Sequence, residues 1–211
     1  MGTPAKFDGL LREVWLVEDQ PAEIKRLLPV AVRALFAEDR RLALALAASP
    51  RNNPCWNYGL IYSVFETTLV YEIFKALLPM AAVEWEWPYP GSTDKADLVV
   101  FDGERANVVI EAKWWMSNQK KVFSLLEVDI EKMLSWKGLD GRYLLTFWHS
   151  QNCPEMWKRD LSDVLAFCGQ YDGARVEPVY AAAFPTDVVT VRAEGGSYFA
   201  MCALSVRPRH A

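Results

Sequence analysis

The stretch Asp94–Trp115 constrains this chain more than any other. Two β-branched apolar runs, Leu98–Phe101 and Val108–Ile110, flank Asp102-Gly103-Glu104-Arg105, a pattern that predicts a β-hairpin. Side chains alternate across a strand, so Val109, Glu111 and Lys113 share one face while Val108, Ile110 and Ala112 take the other. A turn that leaves Phe101 opposite Asn107 sets Val99 against Val109 and Asp97 against Glu111, with the last two Cβ atoms about 5 Å apart. Like charges directly opposite destabilise a hairpin unless a cation lies between them, and hard carboxylate oxygens suit Mg²⁺ or Mn²⁺. The plainer alternative makes Asp97 and Glu111 strand-end surface carboxylates, with Lys113 as their ion-pair partner. Spacing alone does not choose between the two.

The segments on either side set the context of the hairpin. Tyr58–Leu78 has a helical pattern stopped by Pro79. Counting three and four from Glu66 reaches Tyr62, Ser63, Leu69, Val70, Ile73, Phe74 and Leu77, so Glu66 rides on the apolar stripe, whereas Glu72 faces Thr68, Lys75 and Ala76. A carboxylate on a buried face is costly unless paired or metal-bound, which makes Glu66 the candidate acid facing the hairpin and Glu72 the one facing away. Ala82–Trp87 alternates Val83, Trp85 and Trp87 against Glu84 and Glu86, as a half-exposed strand does, and Pro88–Thr93 is a loop. Beyond Lys113, a helical run passes through Leu125, Leu126, Ile130, Met133 and Leu134, and Tyr143–Trp148 is a further apolar strand. The order from 58 to 148 is helix, strand, strand, strand, helix, strand.

Ala-Asp-Leu-Val-Val-Phe-Asp followed by Val-Ile-Glu-Ala-Lys resembles the PD-(D/E)XK signature of the restriction-endonuclease-like nuclease superfamily. Ala96 stands where the motif has Pro. The resemblance implies an α/β fold with an αβββαβ core, a mixed central sheet flanked by helices, and it matches the order of elements just read. It also implies a metal-dependent phosphodiester hydrolase in which Asp97 and Glu111 hold Mg²⁺ (or Mn²⁺). The backbone carbonyl of Ala112 would be a further ligand, Glu66 would bind directly or through water, and Lys113 would sit beside the scissile phosphate. Gln119, Lys120 and Lys121 closely follow the active strand and are candidate phosphate contacts; exposed lysines usually do nothing so specific. Trp114 and Trp115 are core residues on the commoner reading and base-stacking platforms on the other.

At 211 residues, 52% of them hydrophobic, the chain has ample material for one core. Residues 1–54 read as an N-terminal helical extension packed on a nuclease-like unit at 55–211. The extension holds one helix over Glu18–Phe36, with Pro29 as a kink, and a second over Asp39–Ala48; it is a cover for the core or a dimer surface. Ser49–Pro54 is the clearest break. Pro154–Phe167 reads as a helix, and Val176–Phe184, Val188–Arg192 and Ser197–Val206 as extra C-terminal strands. Cys55, Cys153, Cys168 and Cys202 lack any Cys-x-x-Cys spacing, which argues for four buried thiols rather than zinc ligands or a disulfide framework. His149, alone at a strand end, is an ordinary histidine. The absence of a leader-like or membrane-spanning run points to a cytoplasmic protein.

The net charge is −4, and residues 81–115, with seven acids against three bases, account for all of it. That excess lies where bound cations would offset it. The lack of a strongly basic domain predicts modest, salt-sensitive DNA affinity. Two functions of different class follow. One is a nuclease acting on DNA, with RNA as the alternative substrate, in defence, repair or mobile-element biology. The other is a nuclease-like fold turned binding module, with its helical N-terminus and Trp-rich surface as the interface.

Overall fold

The computed structural model describes residues 11–48, 66–115, 119–151, 156–186 and 197–209. In chain order the elements are β1 (Arg12–Trp15), α1 (Ala22–Ala47), α2 (Glu66–Leu77), β2 (Ala82–Pro88), β3 (Lys95–Asp102), β4 (Arg105–Trp114), α3 (Gln119–Ser135), β5 (Gly141–Gln151), α4 (Met156–Gln170), β6 (Arg175–Thr186) and β7 (Ser197–Arg207). The strands form one seven-stranded mixed sheet in the order β1-β6-β7-β5-β4-β3-β2. Among the described strands only β4 and β5 run parallel. Parallel neighbours need a long crossover, and α3 supplies it.

Helices cover both faces. Ile24, Leu27, Leu28, Val32 and Leu35 of α1 and Leu69, Val70, Ile73 and Leu77 of α2 pack with Val108, Ile110 and Ala112 of β4 on one side. Leu126, Ile130 and Met133 of α3 and Leu161, Val164 and Phe167 of α4 pack with Val99 and Val109 on the other. Strand β4 is therefore buried on both faces from Val108 to Ala112, which is why its apolar residues form a continuous run. The expected order helix, strand, strand, strand, helix, strand is the order of α2, β2, β3, β4, α3 and β5. No helix among the described residues is long and apolar enough to cross a membrane.

Four local readings are corrected. The two expected N-terminal helices are one, Ala22–Ala47, with Pro29 inside it. Ala37 and Glu38 offer no break, and the packing of Ile24, Leu27, Leu28, Val32 and Leu35 in the core outweighs the lost hydrogen bond and ring clash of Pro29. The N-terminal region is also more than helical, since β1 pairs with β6 at the edge of the sheet. In the hairpin, Val99 does face Val109, but Phe101 faces Ala106 rather than Asn107, and the register shifts beside it. Asn107 is the extra residue of a β-bulge; its carbonyl accepts the Asp140 N–H (2.9 Å) and its side-chain amide donates to Glu23 (3.0 Å). Finally, Trp87 leaves the face of Val83 and Trp85. Glu86 has φ +53°, and beyond it the Trp87 ring lies edge-on to Phe101 at 5.2 Å, on the α3 side of the sheet.

Cys202 is buried and Cys168 half-buried, both as free thiols; Cys55, Cys153 and the expected strand Val188–Arg192 lie outside the described residues. The turn of the hairpin pairs Asp102 with Arg105, leaving Gly103 at φ +61°. A type II′ hairpin turn reserves its first central position for glycine. A Cβ at Gly103 would meet nothing within 4 Å, so a substitution there tests the backbone alone. Gly103→Ala is expected to destabilise by about 1–2 kcal/mol, lowering the melting temperature by roughly 2–8 °C in a circular-dichroism melt. An unchanged melt would show that the turn is not held in the left-handed region.

Candidate functional site

The site is built where β3 and β4 run past their last mutual pair. Leu98 pairs with Ile110; one step on, the Asp97 side chain takes the place of a backbone partner, its Oδ2 accepting the Ala112 N–H at 2.7 Å. A strand residue sends its N–H and C=O toward the same edge, so the Ala112 carbonyl looks to the β3 side as well. Glu111 is only 3% exposed. Its Oε1 accepts the Tyr89 hydroxyl at 2.5 Å, and its carboxyl is a near neighbour of Asp97, each acting on the other's charge. Tyr89 is itself fixed: its N–H donates to the Asp94 carbonyl (2.9 Å) and its ring meets Trp136 edge-on.

Lys113 occupies the same face as Glu111, as alternation requires. Its Nζ lies 3.4 Å from Glu66 Oε1 and 3.2 Å from Asp129 Oδ2. Glu66, at the described start of α2, also accepts the Trp114 N–H through Oε2 at 2.6 Å, and this ties the helix to β4. Glu72 points elsewhere, to Lys75 (2.6 Å) and Arg41 (3.5 Å). The helical phase read from the sequence thus separates the two acids as expected. Trp115 is buried against Phe123 and Phe167, and the half-buried Trp114 lies edge-on to Phe199. Both are packing residues. The side chains of Gln119, Lys120, Lys121 and His149 lie outside the described residues.

Two further participants, Tyr89 and Asp129, escaped the sequence reading, and so did Lys132, whose Nζ is 2.7 Å from Asp129 Oδ1. Asp129 was open to the argument that singled out Glu66. It lies three residues from Leu126 and four from Met133, on the stripe that α3 buries. Nothing in the sequence around Tyr89 marks it, since its partner is 22 residues away. Among the described residues, no three His, Cys, Asp or Glu side chains are arranged to hold a metal ion by themselves.

The electrostatics follow from burial. Glu111 is raised from 4.5 to about 8, by burial first and then by the Asp97 carboxylate, against the lowering effect of the Tyr89 hydrogen bond. Asp97 is raised by burial, with the Ala112 N–H opposing. Glu66 is raised by burial too, with Lys113 and the Trp114 N–H pulling it back. Burial works against the charge on Lys113, but Asp129, Glu66 and Asp97 outweigh it and its pKa is raised. The three acids shift alike: each would carry less negative charge here than in water. No family model matches this chain, and no curated protein or solved structure does either.

A raised carboxyl pKa means that the folded protein keeps a proton which the unfolded chain has released. The stability from the Glu111 proton is full below pH 4.5 and is lost as pH rises through about 8; Asp97 and Glu66 act in the same sense. In EDTA the melting temperature should therefore fall by several degrees between pH 6 and pH 8.5, since 1 kcal/mol moves it by about 2–4 °C in a chain of this size. Glu111→Gln should flatten that slope. A wild-type slope that the variant retains in full would show that the pair does not hold the proton.

Proposed function

We propose that this chain is a metal-dependent phosphodiester hydrolase acting on DNA, with RNA as the alternative substrate. The observation that carries the reading is the pair of buried carboxyls, Asp97 and Glu111, with the Lys113 ammonium on the same strand face as Glu111. The order α2, β2, β3, β4, α3, β5, with β5 parallel to β4, supports reading it as a restriction-endonuclease-like core.

The donor set fits a hard divalent cation. Burial first, and then the Asp97 carboxylate, let Glu111 hold its proton to about pH 8, and a cation between the two would take the proton's place. Two carboxylates and the Ala112 carbonyl suit Mg²⁺ or Mn²⁺, which keep several waters among their ligands. Glu66 would reach the same ion through water. When bound, the ion supplies Lewis acidity toward the phosphoryl oxygens and a water of lowered pKa.

The chain's own contribution is positional. Asp97 and Glu111 would hold the ion from two paired strands, elements stiffer than loops. Lys113 presents a preorganised positive charge beside the phosphate, where negative charge builds in the transition state. Tyr89 holds the Glu111 carboxyl in one orientation and leaves its other oxygen for the ion.

Two measurements test the reading. Calorimetry with Mn²⁺ should give binding heat for the wild type that Asp97→Ala loses; identical isotherms would remove the metal from the account. Purified protein with Mg²⁺ or Mn²⁺ should cut at least one of supercoiled plasmid, linear duplex, single-stranded DNA and RNA at low salt, and Lys113→Ala should slow the cutting by about 10²–10³ without unfolding the chain. Wild-type protein that binds the ion and cuts none of these would favour the binding-module alternative.

A further inference from the structure

Asp129 has an unusual position for a carboxylate. It rides on the stripe of α3 formed by Leu126, Ile130 and Met133, each fully buried, and is itself only 5% exposed. A charge so placed is costly unless paired, and this one faces two ammoniums: Lys132 on Oδ1 at 2.7 Å, and Lys113 on Oδ2 at 3.2 Å. The contact to Lys113 is an ion pair. Stability alone does not explain the residue, because an apolar side chain of similar size would continue the stripe without desolvating a charge.

We propose that Asp129 is a positioning residue for Lys113, a brace reaching from α3 that holds the ammonium on the carboxylate face of β4. The role rests on the reading of Lys113 given above. Lysine carries its charge on four flexible bonds and does not place itself. Glu66 restrains the ammonium from α2, its side chain still 31% exposed; Asp129 restrains it from α3, on the other face of the sheet, and is buried. Two anchors on separate helices define a position that one cannot. Lys132 has a part in this. By occupying Oδ1 it leaves Asp129 facing Lys113 with Oδ2 alone, and it keeps both oxygens on ammoniums rather than on an ion held by Asp97 and Glu111.

Competitive acetylation of the full chain with acetic anhydride in EDTA, read by mass spectrometry, reports on Lys113 without any assay of activity. Lys95, whose side chain is 54% exposed, is the internal reference. In the wild type, Lys113 should react about ten-fold more slowly than Lys95, and Asp129→Asn should close most of that gap. In the cleavage assay the same variant should lower kcat by about 10–100-fold, the usual effect of losing a partner that orients a site residue, with KM little changed. A wild-type Lys113 that reacts as fast as Lys95 overturns the proposal, even should Asp129→Asn fail to fold. So does a folded Asp129→Asn protein with Lys113 still protected and kcat intact, or one in which only KM rises. If Asp129→Asn exposes Lys113 in a protein whose wild type cuts nothing, the brace stands and the hydrolase reading falls.

Discussion

Strand β4 is covered on both faces through its middle. From Val108 to Ala112 helices close over both of its sides, so an ionisable residue carried there has to find its partners inside the protein. Glu111 is such a residue, the half-buried Lys113 follows it on the same face, and the surroundings are arranged to receive both. Tyr89 folds in from the β2–β3 loop to Glu111, Asp97 comes from the neighbouring strand, and Glu66 and Asp129 approach Lys113 from helices on opposite faces. One short stretch of strand thereby ties two helices and a loop to the sheet.

Those partners do not neutralise one another. Glu66, Asp97, Glu111 and Asp129 face Lys113 and Lys132, which would leave two negative charges over if every group were ionised. The upward shifts of Glu66, Asp97 and Glu111 express that excess together with their burial. The folded chain limits the cost by keeping a proton on the Asp97–Glu111 pair. Under the proposed function a divalent ion would carry the missing charge, and the site's affinity for protons and for cations is then a single property seen in two ways.

Much of the site was legible in the sequence, because its central geometry is local. The period of two in a strand places Glu111 and Lys113 on one face whatever the rest of the chain does, and the period of 3.6 in a helix separates Glu66 from Glu72 by the same kind of necessity. Val99 meets Val109 as expected, but for a different reason: the two-residue turn alone would set Val99 against Val108, and the extra residue Asn107 moves the register by one. What was missed locally had weaker signals. The Asn107 bulge has no marker in the residues around it, and the left-handed backbone of Glu86 contradicts its own residue type, so the move of Trp87 to the other face could not be read.

The sequence by itself determined the elements from α2 to β5, their order, and that Glu66 rather than Glu72 turns inward, since these follow from covalent geometry and from keeping apolar side chains out of water. Tertiary structure decided the rest. It decided that α1 runs unbroken past Pro29, that β1 joins the sheet beside β6, and that Tyr89 and Asp129 complete the site. These depend on contacts between segments far apart in the chain, where the gain from packing two surfaces outweighs local preference, and no pattern within one segment records which surface it will meet.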